Sequence, residues 1–244
     1  LLQDVTSSKS LHYYLSIIRC AEFFHKKVFI YSQGIGPIDR PGNRRAAAAA
    51  LKRADGIVVR DERSASLLEE IGIARDKVVI TADPVIRMKK PDGDVGAEIL
   101  RKAGVSLDGR LTVGWAIRER DTDSRFVKEL LRSIQMMKDK YNAQSVLIPF
   151  HYEEDGEVCR HIAVQLPDDT AVCLNEKYLS EDMLSIIGNM DLLVGVRLHS
   201  LIYAAIMGVP LIGISYDPKC TAFLNSVGLD KLSTKENFTA ELFM

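Results

Sequence analysis

A chain of 244 residues with 47% apolar and 27% charged residues has the composition of an ordinary globular protein and is not disordered by that measure. Its formal charge of −1 argues against the basic footprint of a nucleic-acid binder. Four widely spaced cysteines, Cys20, Cys159, Cys173 and Cys220, form no C-x-x-C pair, which argues against a zinc site or a disulfide framework.

Reduced thiols of this kind fit a cytoplasmic protein. No apolar run approaches the roughly 18 residues of a membrane span, and no basic segment followed by an apolar stretch reads as a signal peptide. The chain opens on Leu1-Leu2-Gln3-Asp4 as if within a motif, and upstream residues of the first domain are expected to be missing.

Residues 8–26 carry Leu11, Tyr14, Leu15, Ile18, Ala21 and Phe24 at helical spacing, with Ser8 as N-cap and His25 near the helix end. Residues 28–31 read as a strand that runs into Ser32-Gln33-Gly34-Ile35-Gly36-Pro37-Ile38-Asp39-Arg40-Pro41-Gly42. Three Gly and two Pro between Gly34 and Gly42 preclude regular structure there. Such a loop exposes N–H groups and feeds a helix starting near Asn43, with Arg40, Arg44 and Arg45 at its mouth. That combination favours a phosphate or carboxylate.

The next strand, residues 56–61, ends in Arg60, which either pairs with an acidic neighbour or reaches a ligand. Asp61 then caps a helix over residues 62–71, and residues 77–81 form another strand. Around Met88-Lys89-Lys90-Pro91-Asp92-Gly93-Asp94 the pattern breaks, which marks a linker and divides the chain into domains 1–87 and 88–244.

Alternation then resumes. A helix at 95–103 precedes a strand at 111–117 that ends in Arg118-Glu119-Arg120 and holds Trp115 as a core residue. An amphipathic helix from Asp123 to Lys140 follows, then a strand at 145–150 leading to His151-Tyr152-Glu153-Glu154-Asp155. A helix at 156–165 with a structural His161, a strand at 171–174, and a helix capped by Ser180 complete this stretch.

The strand at 191–196 ends in Arg197-Leu198-His199-Ser200, and the strand at 210–215 ends in Tyr216-Asp217-Pro218-Lys219, where a last helix begins. Residues 231–244 read as a tail or crossing segment. Strand–helix alternation throughout predicts an α/β protein of two Rossmann-like domains, with parallel sheets covered by helices on both faces. Ligands bind at the carboxyl ends of such strands, and a cleft between the two rims is the expected active site.

Strand ends collect Arg40, Arg60, Arg118, Arg197, His199 and Lys219, with Asp217 acidic. Cations around a histidine suit a small, multiply anionic substrate and a proton transfer near neutral pH. No metal site is read from the His, Asp and Glu spacing.

Together, Ser32-Gln33-Gly34-Ile35-Gly36-Pro37, Val59-Arg60-Asp61, Val194-Gly195-Val196-Arg197-Leu198-His199-Ser200 and Gly213-Ile214-Ser215-Tyr216-Asp217-Pro218-Lys219 resemble the polysaccharide pyruvyltransferase family, and in particular its CsaB-type bacterial members. The resemblance implies a GT-B-like fold. It also implies transfer of pyruvate from phosphoenolpyruvate to a sugar as a 4,6-ketal on N-acetylmannosamine of a lipid-linked cell-wall precursor for S-layer anchoring. Phosphoenolpyruvate is a co-substrate, and no cofactor is expected.

On that reading His199 is the general acid and Asp217 a base, while Lys219 and Arg40 hold phosphate and carboxylate. Arg197, Arg60 and Arg118 support them, and Gly34 and Gly36 admit the ligand. A lipid-linked acceptor would bring the protein to the cytoplasmic face of the membrane. Two other functions fit the same residues: a nucleotide-sugar-dependent glycosyltransferase, and a non-catalytic binder of anionic glycans.

Overall fold

The computed structural model describes residues 2–5, 8–91, 94–119, 121–122 and 124–243, and these form two compact units, Leu1–Ile86 and Arg87–Met244. Asp92, Gly93, Arg120 and Asp123, on which parts of the sequence reading fall, lie outside the described residues.

In the first unit β1 (Phe29–Gln33), β2 (Gly56–Val59) and β3 (Val78–Ile80) form a parallel sheet in that order, with Ile30 opposite Ile57 and Ile57 opposite Val78. Helices α1 (Ser8–Phe23), α2 (Pro41–Leu51) and α3 (Glu62–Glu70) supply the rest. Leu11, Leu15 and Ile18 from α1 join Ala47, Ala50 and Leu51 from α2 and Ala65 and Leu68 from α3 in one core with Ile30, Ile57 and Val59. The alanine run of α2 is what permits this close approach, because small side chains keep the helix near its neighbours.

Helices were expected on both faces of this sheet. Phe29, Tyr31 and Val79 are 65%, 63% and 58% exposed, so among the described residues only one face is covered.

The start of α2 differs from expectation. The helix begins at Pro41, suited to a first helical position that needs no N–H, and its N-cap is Arg40. Asn43 does not cap. Its side-chain amide donates to the buried Asp4 carboxylate at 2.7 Å, which also accepts the N–H groups of Asp39 at 2.9 Å and Arg40 at 3.1 Å. Asp4 is therefore the anion at this helix terminus, where free donors and the dipole favour negative charge. Burial alone would raise its pKa, but the hydrogen bonds from Asp39, Asn43 and Arg40 outweigh that and hold the carboxyl below its ordinary value.

In the second unit β4 (Thr112–Ala116), β5 (Gln144–Leu147), β6 (Ala171–Cys173), β7 (Leu192–Gly195), β8 (Leu211–Ser215) and β9 (Ser233–Thr234) form a sheet in the order β6-β5-β4-β7-β8-β9, every pairing parallel. The order reverses between β4 and β7, the point where ligand crevices open in doubly wound sheets. β4 and β5 are buried along their whole length, as strands covered on both faces must be.

Helices α4 (Val95–Lys102), α5 (Arg125–Tyr141), α6 (Tyr152–Gln165), α7 (Ser180–Gly188), α8 (Leu198–Met207) and α9 (Pro218–Ser226) complete the unit. Trp115 is fully buried, its indole N–H donating to Ser145 Oγ at 2.9 Å, and is a core residue as expected. Gly96 lets α4 touch α7: an added Cβ would lie 2.3 Å from the Ser185 backbone.

Three boundaries depart from the sequence reading. α6 starts at Tyr152, four residues early, because the Asp155 carboxylate reaches back to accept the His151 N–H at 2.8 Å and closes the first turn. Leu179, not Ser180, is the N-cap of α7, and Asp182 accepts its N–H at 3.3 Å. Residues beyond 231 do not hang free: β9 pairs with β8, Phe238 is buried against Phe126 with ring centroids 5.4 Å apart, and Phe243 meets Trp115 at 5.6 Å.

Two outcomes follow for stability. Asp4→Ala leaves three donors without their acceptor and should lower unfolding free energy by about 2 kcal/mol. Because the folded Asp4 pKa is depressed, its stabilisation is present above the unfolded carboxyl value and lost as pH falls through the folded one. Thermal unfolding followed from pH 7 down to about 3 should therefore show a steeper loss in the native chain than in Asp4→Asn.

Candidate functional site

The carboxyl ends of β4, β5, β7, β8 and β9 deliver Arg118, Glu154, Arg197, Tyr216 and Lys235 to one rim of the second unit. Its fixed point is Asp155. This side chain is 1% exposed and takes the Arg197 guanidinium in a two-pronged contact, Nε to Oδ2 at 2.9 Å and Nη2 to Oδ1. The same Oδ2 accepts the His151 N–H, so one carboxylate ties the start of α6 to the residue that caps α8. Such an arrangement satisfies both buried ions, which burial without a partner would not allow. Glu154 lies 3.6 Å from the same guanidinium.

Arg118 makes a different contact. Its guanidinium lies 4.9 Å from the Tyr216 ring centre and donates from Nη1 to the Tyr216 hydroxyl. Burial tends to lower the Arg118 pKa, but the hydrogen bond to Tyr216 reverses this and raises it. Burial in turn raises the Tyr216 phenol, against the pull of Arg118, so the phenol stays neutral at physiological pH. Lys235 pairs with Glu119 at 2.7 Å and donates to the Arg118 carbonyl at 3.1 Å. A cavity of about 300 Å³ is lined by Arg118, Glu119, Glu154, Asp155, Tyr216 and Lys235. A second, of about 420 Å³, shares Tyr216 and continues over Ser215, Asp217, Thr221, Asn225 and Thr234.

His199 and Lys219 occupy matching places. Each is the second residue of a helix, α8 or α9, that follows one of two adjacent parallel strands, β7 or β8. His199 is exposed and Lys219 half-buried. Asp217 is the N-cap of α9, its Oδ1 accepting the Lys219 N–H at 2.9 Å, so it fixes the backbone of Lys219.

The first unit treats its predicted residues otherwise. Arg40 is exposed at the α2 N-cap, whereas Arg60 is 15% exposed and held by Asp83 at 2.7 Å and Asp61 at 3.5 Å. Gly34 makes room for that guanidinium, since a Cβ there would lie 2.7 Å from it. Gly36 has φ +92°, and a Cβ would fall 2.2 Å from Leu67. The loop N–H groups were expected to face a ligand; those of Ile35 and Gly36 instead donate to Ser64 Oγ at 2.9 Å and the Leu2 carbonyl at 2.8 Å.

His151 is exposed, 3.7 Å from Glu153, and His161 contacts Gln165 along its own helix. Among the described residues no group of three His, Cys, Asp or Glu side chains is arranged to hold a metal ion, and no helix is long and apolar enough to cross a membrane. Sequence reasoning passed over Asp155, Tyr216 and Lys235 as individual residues. Asp155 stood in an acidic run at a strand end, which signals a helix start but not which acid turns inward. Lys235 lay in the segment read as a tail.

The chain is 21% identical over 230 residues to the amylovoran biosynthesis protein AmsJ of Erwinia amylovora, covering 88% of this chain and 55% of that protein. It thus spans about half the length of that curated relative. Among solved structures it is similar to the UDP-GlcNAc 2-epimerase of Methanocaldococcus jannaschii, with TM-score 0.68 and 14% identity over 94% of this chain and 64% of the other. The Neisseria meningitidis UDP-GlcNAc 2-epimerase bound to UDP-GlcNAc gives TM-score 0.62 at 14% identity, over 94% and 62%. Anabaena Alr3699/HepE with UDP-glucose gives 0.56 at 12%, over 82% and 57%. These likenesses show the fold, α/β with parallel sheets and GT-B-like. The family description polysaccharide pyruvyl transferase matches residues 2–218, and the chain belongs to that family.

Proposed function

We propose that this chain takes part in transferring pyruvate from phosphoenolpyruvate to two hydroxyls of a saccharide, forming a ketal and releasing phosphate. The observation that carries this reading is the placement of His199 and Lys219 at the starts of α8 and α9, after neighbouring parallel strands, inside the region matched to the family.

In the proposed reaction His199 delivers a proton to C3 of the enol, and positive charge develops at C2. One sugar oxygen attacks C2, the C2–O bond to phosphate breaks, and the second oxygen completes the ketal. Of the two hydroxyl protons released, one replaces that given by His199 and the other leaves with phosphate. Lys219 is the proposed contact for the phosphate or carboxylate, helped by the positive end of the α9 dipole. Arg40, exposed in the first unit, is proposed as a further anion contact. Arg197 and Arg60, each bound to carboxylates, serve here as supports of the rim and of the glycine-rich loop.

The acceptor in this proposal is N-acetylmannosamine modified across O4 and O6 in a lipid-linked cell-wall precursor, as in CsaB-type enzymes, with the protein at the cytoplasmic membrane face. AmsJ, named for amylovoran biosynthesis, supports the broader class of a cell-surface polysaccharide. A nucleotide-sugar-dependent glycosyltransferase remains the second reading, favoured by the UDP-sugars named with the structural neighbours. Thermal stabilisation by a UDP-sugar and not by phosphoenolpyruvate would select it.

In a phosphate-release assay with phosphoenolpyruvate and a lipid-linked disaccharide, His199→Ala should lower kcat by about 10²- to 10⁴-fold. Near-native turnover in that variant removes the proton-donor role. Lys219→Ala should raise KM for phosphoenolpyruvate by roughly 10- to 100-fold, the equivalent of one charge-assisted hydrogen bond. An unchanged KM would assign the anion to other groups.

A further inference from the structure

Helix α1 is apolar on two opposite sides. Leu11, Leu15 and Ile18 are buried in the core of the first unit. Tyr13, Ile17, Cys20 and Phe24 recur at spacings of four, three and four residues, so they share the other side of the same turns. Phe24 lies just past the helix, its N–H still donating to the Cys20 carbonyl at 3.1 Å. Tyr13 is 61% exposed, Ile17 48% and Phe24 61%, and Cys20 is exposed as well. Phe23, 77% exposed, sets its ring edge-on to that of Phe24 with centroids 5.2 Å apart. A surface helix of an ordinary globular protein turns polar residues outward. Here the outward line is aromatic and aliphatic.

The charges beside this line have one sign. Lys9, four residues before Tyr13, extends it, and Arg19, Lys26 and Lys27 are exposed as Lys9 is. The one acid between Ser8 and Val28 is Glu22, whose side chain is only 10% exposed and pairs with Arg53 at 3.3 Å. The neighbouring helix α2, which shares the core with α1, contains no acid, and Arg45, Lys52 and Arg53 are exposed along it and just after it. Asp55, the next acid in the chain, accepts the Val28 N–H at 2.8 Å.

An apolar line bordered by lysines and arginines matches the interface of an anionic bilayer. Phe and Ile enter the boundary between headgroups and acyl chains, Tyr sits at headgroup depth, and the cations reach lipid phosphates. A second copy of the chain would bring this cationic face against itself, an unfavourable meeting of like charges. We infer that the outer face of α1 seats the chain on an anionic lipid surface. Tyr13, Ile17, Phe23 and Phe24 enter the interface, while Lys9, Arg19, Lys26 and Lys27 contact lipid phosphates. The helix lies on the membrane and does not cross it, since its 16 residues are fewer than a span requires. Nothing in this contact depends on pyruvyl transfer, and it holds whatever reaction the chain performs.

Co-sedimentation of the 244-residue chain with vesicles tests this. The chain should bind vesicles of phosphatidylcholine with phosphatidylglycerol, bind phosphatidylcholine alone about tenfold more weakly, and lose affinity as salt rises. Ile17→Gln and Phe24→Gln, which remove apolar area without adding charge, should each weaken binding about five- to tenfold. Lys26→Gln combined with Lys27→Gln should weaken it about tenfold on the anionic vesicles only. Circular dichroism checks that each variant is folded, and the two apolar variants read the same face separately. No binding to anionic vesicles overturns the inference. Binding that neither Ile17→Gln nor Phe24→Gln weakens does the same, as does equal binding to both vesicle types. If sedimentation velocity without lipid shows a dimer that Ile17→Gln dissociates, a second copy covers this face and the membrane contact is refuted. Vesicle binding without phosphate release from phosphoenolpyruvate refutes pyruvyl transfer and leaves the membrane face standing.

Discussion

The rim of the second unit depends on one buried ion pair, Asp155 with Arg197. A carboxylate removed from water is tolerated only when its lone pairs are filled, and here Arg197 and the His151 N–H fill them. The consequence is geometric. Strand β7 ends at Gly195, Arg197 caps α8, and the first turn of that helix carries His199. Whatever holds Arg197 thus sets where His199 begins. Buried pairs of this kind add little to stability against an apolar alternative, but breaking one partner leaves an uncompensated charge. Their value here is a fixed register between α6 and α8 on adjoining parts of the rim.

A parallel logic governs the first unit. Its glycine-rich loop and the start of α2 have the chemistry of an anion site, namely free N–H groups, a favourable dipole and nearby arginines. Yet the anion present is the chain's own Asp4, held below its ordinary pKa by the hydrogen bonds it accepts. Arg60 and Gly34 likewise answer to each other, the glycine yielding space to a guanidinium bound by Asp83. The same residue types that would bind a substrate anion here bind internal carboxylates. Arg40 and Arg45 are left exposed at this helix start.

At the second rim the contrast lies in what the cations face. Arg118 stacks on and bonds a neutral phenol, while Lys235 and Arg197 are matched to carboxylates. His199 and Lys219, by contrast, sit in the first turns of α8 and α9, where the helix dipole favours an anion. His199 and Lys219, the proposed proton donor and anion contact, thus follow neighbouring parallel strands of one sheet.

Local sequence was enough for the α/β alternation, the parallel sheets, the core place of Trp115, the cap at Asp61 and the start of helix α9. Each rests on near-neighbour effects: apolar periodicity, a short polar side chain reaching the next turn, a proline at a first helical position. The motif residues His199 and Lys219 were legible for the same reason, being fixed to strand ends by chain order alone. Only the tertiary structure decided which charges meet. Asp4 with α2, Asp83 with Arg60, Asp155 with Arg197 and Lys235 with Glu119 are separated by 23 to 116 residues in the chain. Ion pairing depends on distance and desolvation, not on spacing along the chain, so no local pattern distinguishes an arginine that waits for a substrate from one that already holds its carboxylate.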